Sequence, residues 1–129
     1  MDFEQALRAE LITLSNLSNK VFPMFAPEQT PTPFVIYQKS NVELLGTLDG
    51  MSKTRMARYE FDVVSQTYDT LQQTLNNVKN KLVTFQGRTI GINGPFVQAV
   101  IVDNVIELFE SDPKLVRANM EVRFYYEGA

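Results

Sequence analysis

The chain has 129 residues, with 12 Lys and Arg against 15 Asp and Glu, a net charge of −3, 44 % hydrophobic residues, and no Cys, His or Trp. That length fits one domain, expected over residues 1–129, with a core of ordinary size. Missing Cys excludes disulfides and thiolate chemistry, missing His removes the side chain best suited to proton transfer near neutral pH and the commonest zinc and iron ligands, and the scattered basic residues do not form a nucleic-acid stripe.

No apolar run approaches the roughly 18 residues of a membrane span. No basic-then-apolar leader opens the sequence, so no signal peptide is expected, and Asp2 with the absence of Cys argues against motif-based lipidation.

The first element reads as a helix. Asp2 is placed as its N-cap with Gln5 completing a capping box, and Phe3, Leu7, Leu11 and Leu14 recur at helical spacing, with Ala6 and Leu17 near the same stripe. The pattern dissolves in the small polar run Ser15–Asn19. Residues 20–33 then carry Pro23, Pro27, Pro31 and Pro33 among Phe22, Met24 and Phe25, which makes a stiff extended connection. Its aromatics read as a plug for the end of the core, with a rigid apolar contact for a neighbouring subunit as the alternative.

Two strands follow, Phe34–Ser40 and Arg55–Ser65, around an Asp49-Gly50 dipeptide that favours a two-residue hairpin. That turn sets Leu48 opposite Met51, Ile36 opposite Val63, Gln38 opposite Phe61 and Lys39 opposite Glu60. One face then carries Phe34, Ile36, Tyr59, Phe61 and Val63, and the other Lys39, Glu43, Arg58, Glu60 and Asp62. Each arm is about 15 residues long against five or six for an ordinary strand, so the tip is expected to project beyond the body. Leu44, Leu45, Leu48, Asp49, Gly50 and Met51 form this tip and are the candidate interaction residues; folding back onto the body is the alternative.

Thr67–Phe85 reads as the second helix. Tyr68, Leu71, Leu75, Val78, Leu82 and Phe85 make a continuous apolar stripe, Thr67 serves as N-cap, and Gly87 stops the element. The opposite face, Gln72, Gln73, Asn76, Asn77 and Asn80, is uncharged and reads as solvated, with a packed polar interface between subunits as the second possibility. Gly87, Gly91, Gly94 and Pro95 mark turns; no Gly-Lys-Ser/Thr follows, so they are no phosphate loop.

A second hairpin closes the chain, Phe96–Glu110 with Val116–Glu127, joined around Ser111–Lys114. Asp103 is expected to pair with Arg123, Val102 to face Val122, and Ile106 to face Ala118. The strand from Phe96 is apolar on both faces, so either chain or another subunit must cover the second. The resulting fold class is α+β, in the order α-β-β-α-β-β: a mainly antiparallel four-stranded sheet with two helices on one face and a long projecting β-hairpin.

Catalysis would have to rest on carboxylates such as Glu60, Asp62 and Asp103. These read instead as a solvated face balanced by Lys39, Arg58 and Arg123, because no nucleophile, phosphate loop or ligand motif accompanies them. No catalytic, cofactor or metal site is assigned.

The order and spacing of three stretches carry a resemblance. They are VFPMFAPEQTPTPFVIYQ before the first hairpin, RYEFDVVSQTYDTLQQTLNNVKNKL running from strand into helix, and RANMEVRFYYE at the end. The chain resembles the small tail-completion proteins of long-tailed bacteriophages, also called tail terminators or head-to-tail joining proteins, over nearly its whole length. The resemblance implies a non-enzymatic virion subunit, assembled in the host bacterial cytoplasm. It also implies a hexameric ring at the head-proximal end of the tail tube that ends tube polymerisation and joins the tail to the head connector. Tail tube protein and head connector would be its partners, and DNA would pass through without specific binding. An acidic chain suits that passage. The competing classes are a small ligand-binding or regulatory α+β domain and another connector or minor capsid component.

Overall fold

The computed structural model describes residues 2–47, 50–111 and 114–127, with side chains described outside 44–53 and 109–114. Helix α1 spans Phe3–Leu11. Asp2 Oδ1 accepts from the Gln5 N–H at 2.8 Å and the Asp2 N–H donates to Gln5 Oε1 at 3.1 Å, so two of the orphan donors at this helix start are satisfied. The helix stops before Leu14, and a short 3₁₀ turn at Ser15–Leu17 buries Leu17.

The strands are β1 (Val21–Pro23), β2 (Phe34–Thr47), β3 (Gly50–Ser65), β4 (Arg88–Thr89), β5 (Phe96–Ser111) and β6 (Lys114–Glu127). They form one sheet in the order β1-β2-β3-β6-β5-β4, in which only the β1–β2 pair is parallel. The expected four-stranded antiparallel sheet with helices on one face is therefore corrected to a mixed, mostly-β half-barrel of six curled strands. Two short strands hid inside segments that read as loop. Pro23 sits in β1 at the sheet edge, where a missing N–H costs least, and β4 lies within the glycine-marked turns.

Bulges correct the expected register of the first hairpin. Val35 faces Val63, Tyr37 faces Phe61, Gln38 faces Glu60 and Lys39 faces Tyr59. A count from a turn at Asp49-Gly50 holds only where Asn41–Leu44 meet Arg55–Arg58. Below that stretch an extra residue enters at Ser40, whose hydroxyl donates to the Arg58 carbonyl at 3.2 Å. Above it a second shift sets Met51 opposite Gly46 rather than Leu48. Each inserted residue exchanges the faces of the strand. The inward residues of β2 are thus Val35 and Tyr37 instead of Phe34 and Ile36, and the Lys39–Glu60 pair is not made. In the second hairpin Val102 does face Val122, but a shift between Val102 and Asn104 sets Ile106 opposite Asn119 rather than Ala118.

Helix α2 spans Tyr68–Val83, with the Thr67 hydroxyl accepting from the Thr70 N–H at 3.2 Å. Leu71, Leu75, Val78 and Leu82 are buried, as is Phe85 just beyond the helix, whereas Tyr68 is 56 % exposed and lies off the core. The buried residues of both helices join Tyr59, Phe61 and Val63 of β3 and Ala118, Met120, Val122 and Phe124 of β6 in one cluster. Gly94 lets the turn after β4 approach α1, because a Cβ there would clash with the Ile90 carbonyl and press on Ala6.

One ion-pair network ties α1 to the segment after α2. Glu10 accepts from Arg88 at 2.9 and 3.2 Å and from the Gly91 N–H at 2.9 Å, with Lys81 at 3.5 Å. The Arg88 hydrogen bonds are the main cause that holds the Glu10 carboxyl down to about 2, against the opposing effect of burial.

Two predictions follow from this packing. Phe61→Ala and Leu75→Ala should each lower unfolding free energy by about 2–5 kcal/mol, as for buried large-to-small changes, while Tyr68→Ala should cost less than about 0.5 kcal/mol. Thermal melts of the three variants check this, and equal losses would contradict the burial pattern. The second concerns pH. Because the folded Glu10 pKa lies below its ordinary value, the network stabilises the fold above about pH 4.5 and loses its effect as pH falls toward 2. Wild type should exceed Glu10→Gln by on the order of 2 kcal/mol at neutral pH, after allowance for partial exposure, and the gap should close in acid. Urea titrations of both proteins between pH 7 and 2.5 measure it.

Candidate functional site

The tip singled out in the sequence belongs to a two-stranded extension. Leu44 pairs with Arg55, Gly46 with Met51 and Thr47 with Gly50, while among the described residues β3 pairs with β6 only from Thr54 onward. Residues 44–47 and 50–53 therefore run past the last β6 partner, Glu127. Leu48 and Asp49 lie outside the described residues, and so do the side chains of Leu44, Leu45, Gly50 and Met51.

The strand expected to be apolar on both faces is β5, and its surroundings are open. Strand β4 pairs only with Phe96 and Val97, so the outer edge of β5 has no strand partner beyond them among the described residues. The Val100 N–H is instead satisfied by Gln86 Oε1 at 3.2 Å. Val97, Val100, Val102 and Val105 share the inward face with Tyr126, Phe124, Val122 and Met120, but Val105 remains exposed. On the outward face Ile101, Ile106 and Leu108 are exposed, the last two at 47 % and 53 %. Asp103 occupies the register shift and turns its carboxylate onto Arg123, with a bidentate pair at 2.8 and 2.9 Å. The expected Asp103–Arg123 interaction is made diagonally through the bulge rather than by direct strand opposition; Arg123 itself faces Ile101.

The proline-rich loop presents a second apolar surface at the other edge of the sheet. Met24 is 67 % and Phe25 74 % exposed, so these side chains do not plug the core. The Met24 N–H donates to the Tyr37 carbonyl at 2.9 Å and the Phe25 N–H to the Pro23 carbonyl at 2.8 Å, closing a tight turn with Met24 at φ 70°. A non-glycine residue held at positive φ by two hydrogen bonds is a fixed feature rather than a slack one. The residue types were visible in the sequence; their outward direction was not, because it depends on β1 pairing with β2.

The outward face of the central strands is polar. Glu60 faces Glu121 and Arg58 faces Arg123, and a shallow hollow between them is lined by Ser40, Arg58, Glu60, Asp103 and Glu121. Asp62 accepts from Asn119 Nδ2 at 2.8 Å. Here the structure brings together Glu60 and Asp103, two of the carboxylates weighed for chemistry, and one of them is already bound to an arginine. Among the described residues no group of three or more acidic side chains is placed to hold a metal ion. On α2, Gln72 donates to Glu107 at 2.6 Å, and Gln73, Asn76, Asn77 and Asn80 are exposed. Burial raises the phenols of Tyr37, Tyr59 and Tyr126 above the ordinary tyrosine range, and all three pack in the core.

The described residues present two exposed apolar surfaces, on β5 and on the 24–25 turn. No curated protein sequence matches the chain. Its fold resembles a chain of a solved structure titled "Virion of native gene transfer agent (GTA) particle", with a TM-score of 0.69 and 16 % identity over 97 % of this chain and 91 % of that one. The family described as "Tail completion protein gp17" matches residues 5–127. The match spans most of α1, all six strands and α2, and the chain belongs to this family of structural phage tail proteins.

Proposed function

We propose that this protein is a non-enzymatic virion subunit that caps the head-proximal end of the phage tail tube as a hexameric ring, with the tail tube protein and the head connector as its partners. The single observation that carries the reading is the family match over residues 5–127. Capping stops tube polymerisation, and joining to the connector completes the particle. The outward apolar groups on β5 and the 24–25 loop support a subunit that functions when assembled, since exposed apolar groups of this kind gain from burial against another chain. The net charge of −3 suits a subunit beside a DNA path, because an acidic surface does not hold phosphate.

Within this reading the tip of the first hairpin, Leu44, Leu45, Leu48, Asp49, Gly50 and Met51, reaches a neighbouring protein at the junction. Its two strands run beyond the last β6 partner, which gives it the reach.

Two measurements test the proposal. Added to polymerising tail tube protein, the wild-type chain should shorten and narrow the distribution of tube lengths seen by electron microscopy. Removal of residues 44–51 with a short turn in their place should leave the thermal melt of the body intact but abolish head joining in a particle-completion assay. Unchanged tube lengths would contradict the capping role, and normal completion by the shortened chain would contradict the role of the tip.

A further inference from the structure

The two exposed apolar surfaces lie on opposite edges of the same sheet. At one edge is β5, open over Asn104–Leu108 along its backbone and apolar on both faces through Val105, Ile106 and Leu108. At the other edge β1 covers only Val35–Tyr37 of β2, so among the described residues β2 has no strand partner on that side from Gln38 onward. Beside this open stretch stand Met24 and Phe25 on their hydrogen-bonded turn.

We propose that copies of this chain join head to tail, with the β5 edge of one copy seated against the Met24–Phe25 turn and the open β2 edge of the next. The inference deepens the ring reading and rests on it, by assigning the surfaces through which the ring closes.

Three observations select a second copy as the occupant. First, a strand open along its backbone and apolar on both faces is satisfied by a partner that brings both backbone groups and apolar side chains, and the opposite edge of this chain has both. Second, the two edges differ in charge. Strand β5 contains Asp103, Glu107 and Glu110 and no lysine or arginine, with Asp103 bound to Arg123 and Glu107 to Gln72 in the same subunit, whereas the opposite edge carries Lys20 and Lys39, with Glu4 beside Lys39. Third, the two surfaces differ from each other. A contact between unlike surfaces adds each subunit in the same sense and closes into a ring where the rotation per subunit completes a turn, and otherwise grows as an open filament, whereas a contact between like surfaces stops at a dimer. The edge also limits the mode of contact: the shifts at Val97/Ala99 and Val102/Asn104 and the Gln86 cap on Val100 blunt the first part of β5, leaving its Asn104–Leu108 part open.

The absence of native cysteine makes the contact directly testable. Phe25→Cys and Ile106→Cys are made singly and together; both positions are exposed, and thermal melts verify that the variants fold. Under mild oxidation the double variant should give a ladder of disulfide-linked multimers ending at the closed ring. Each single variant alone should stay monomeric on a non-reducing gel, and an equal mixture of the two should stop at dimers. Self-linking of Phe25→Cys into dimers would overturn the head-to-tail arrangement. Absence of the ladder, while native mass spectrometry of wild type shows rings, would overturn the assigned surfaces and leave the ring reading standing. Absence of rings from wild type, both alone and on tube ends, would overturn both.

Discussion

The Phe124 ring on β6 is the contact on which the rest of the fold depends. It lies 5.1 Å from Phe3 at the start of α1, 5.9 Å from Tyr59 and 6.3 Å from Phe61 on β3, and 6.2 Å from Phe85 after α2. Its cross-strand neighbours are Ala57 on one side and Val100 on the other, and the small alanine leaves room above the sheet for the incoming rings. Tilted and edge-on aromatic contacts of this kind contribute about 0.5–1.5 kcal/mol each beyond the area they bury. One fully buried side chain thereby fixes both helices against the central β3–β6 pair. The half-barrel is anchored at its middle, and its two edges are left to other roles.

The helices were the most legible part of the sequence. Asp2 with Gln5 and Thr67 before the leucine stripe are local signals, and each helix start is decided by hydrogen bonds made within four residues. The sheet was less legible, because bulges at Ser40 and Asp103 exchange faces without any marker in composition. Alternation correctly places Tyr59, Phe61 and Val63 inward, but the extra residue at Ser40 offsets the partner strand by one, so Val35 faces Val63 and Tyr37 faces Phe61 where Ile36 and Gln38 are expected. Short β1 and β4 exist only because long strands lie beside them, and neither two nor three residues carry a period that reveals a strand. The outward turn of Met24 and Phe25 has the same origin: it is set by the hydrogen bond from Met24 to Tyr37, a partner distant in sequence.

The candidate surfaces divide in a similar way. The two-faced apolar character of β5 was plain from Val100, Ile101, Val102, Val105 and Ile106, and the choice between cover by the chain and cover by a neighbour was not. The curl of the sheet resolves it within one subunit. Helix α2 covers β6 and touches β5 as far as Glu107 through Gln72, while the outer edge of β5 has no strand partner beyond Val97 among the described residues. The polar outward face of β3 and β6, with its like-charged cross-strand pairs and its Asp103–Arg123 bridge, separates the two apolar edges. That separation gives each subunit two unlike ends, the property a ring-forming piece requires.

A structural subunit that acts by assembly should reveal itself in its mass when presented with the end of a tail tube. Native mass spectrometry of the purified chain, alone and after incubation with preformed tubes, measures this most directly. The account predicts a closed species with one fixed number of subunits, six if the ring has the family's expected symmetry, and no open-ended series beyond it. A chain that remained monomeric in both conditions, or that grew into polymers without a terminal size, would contradict it.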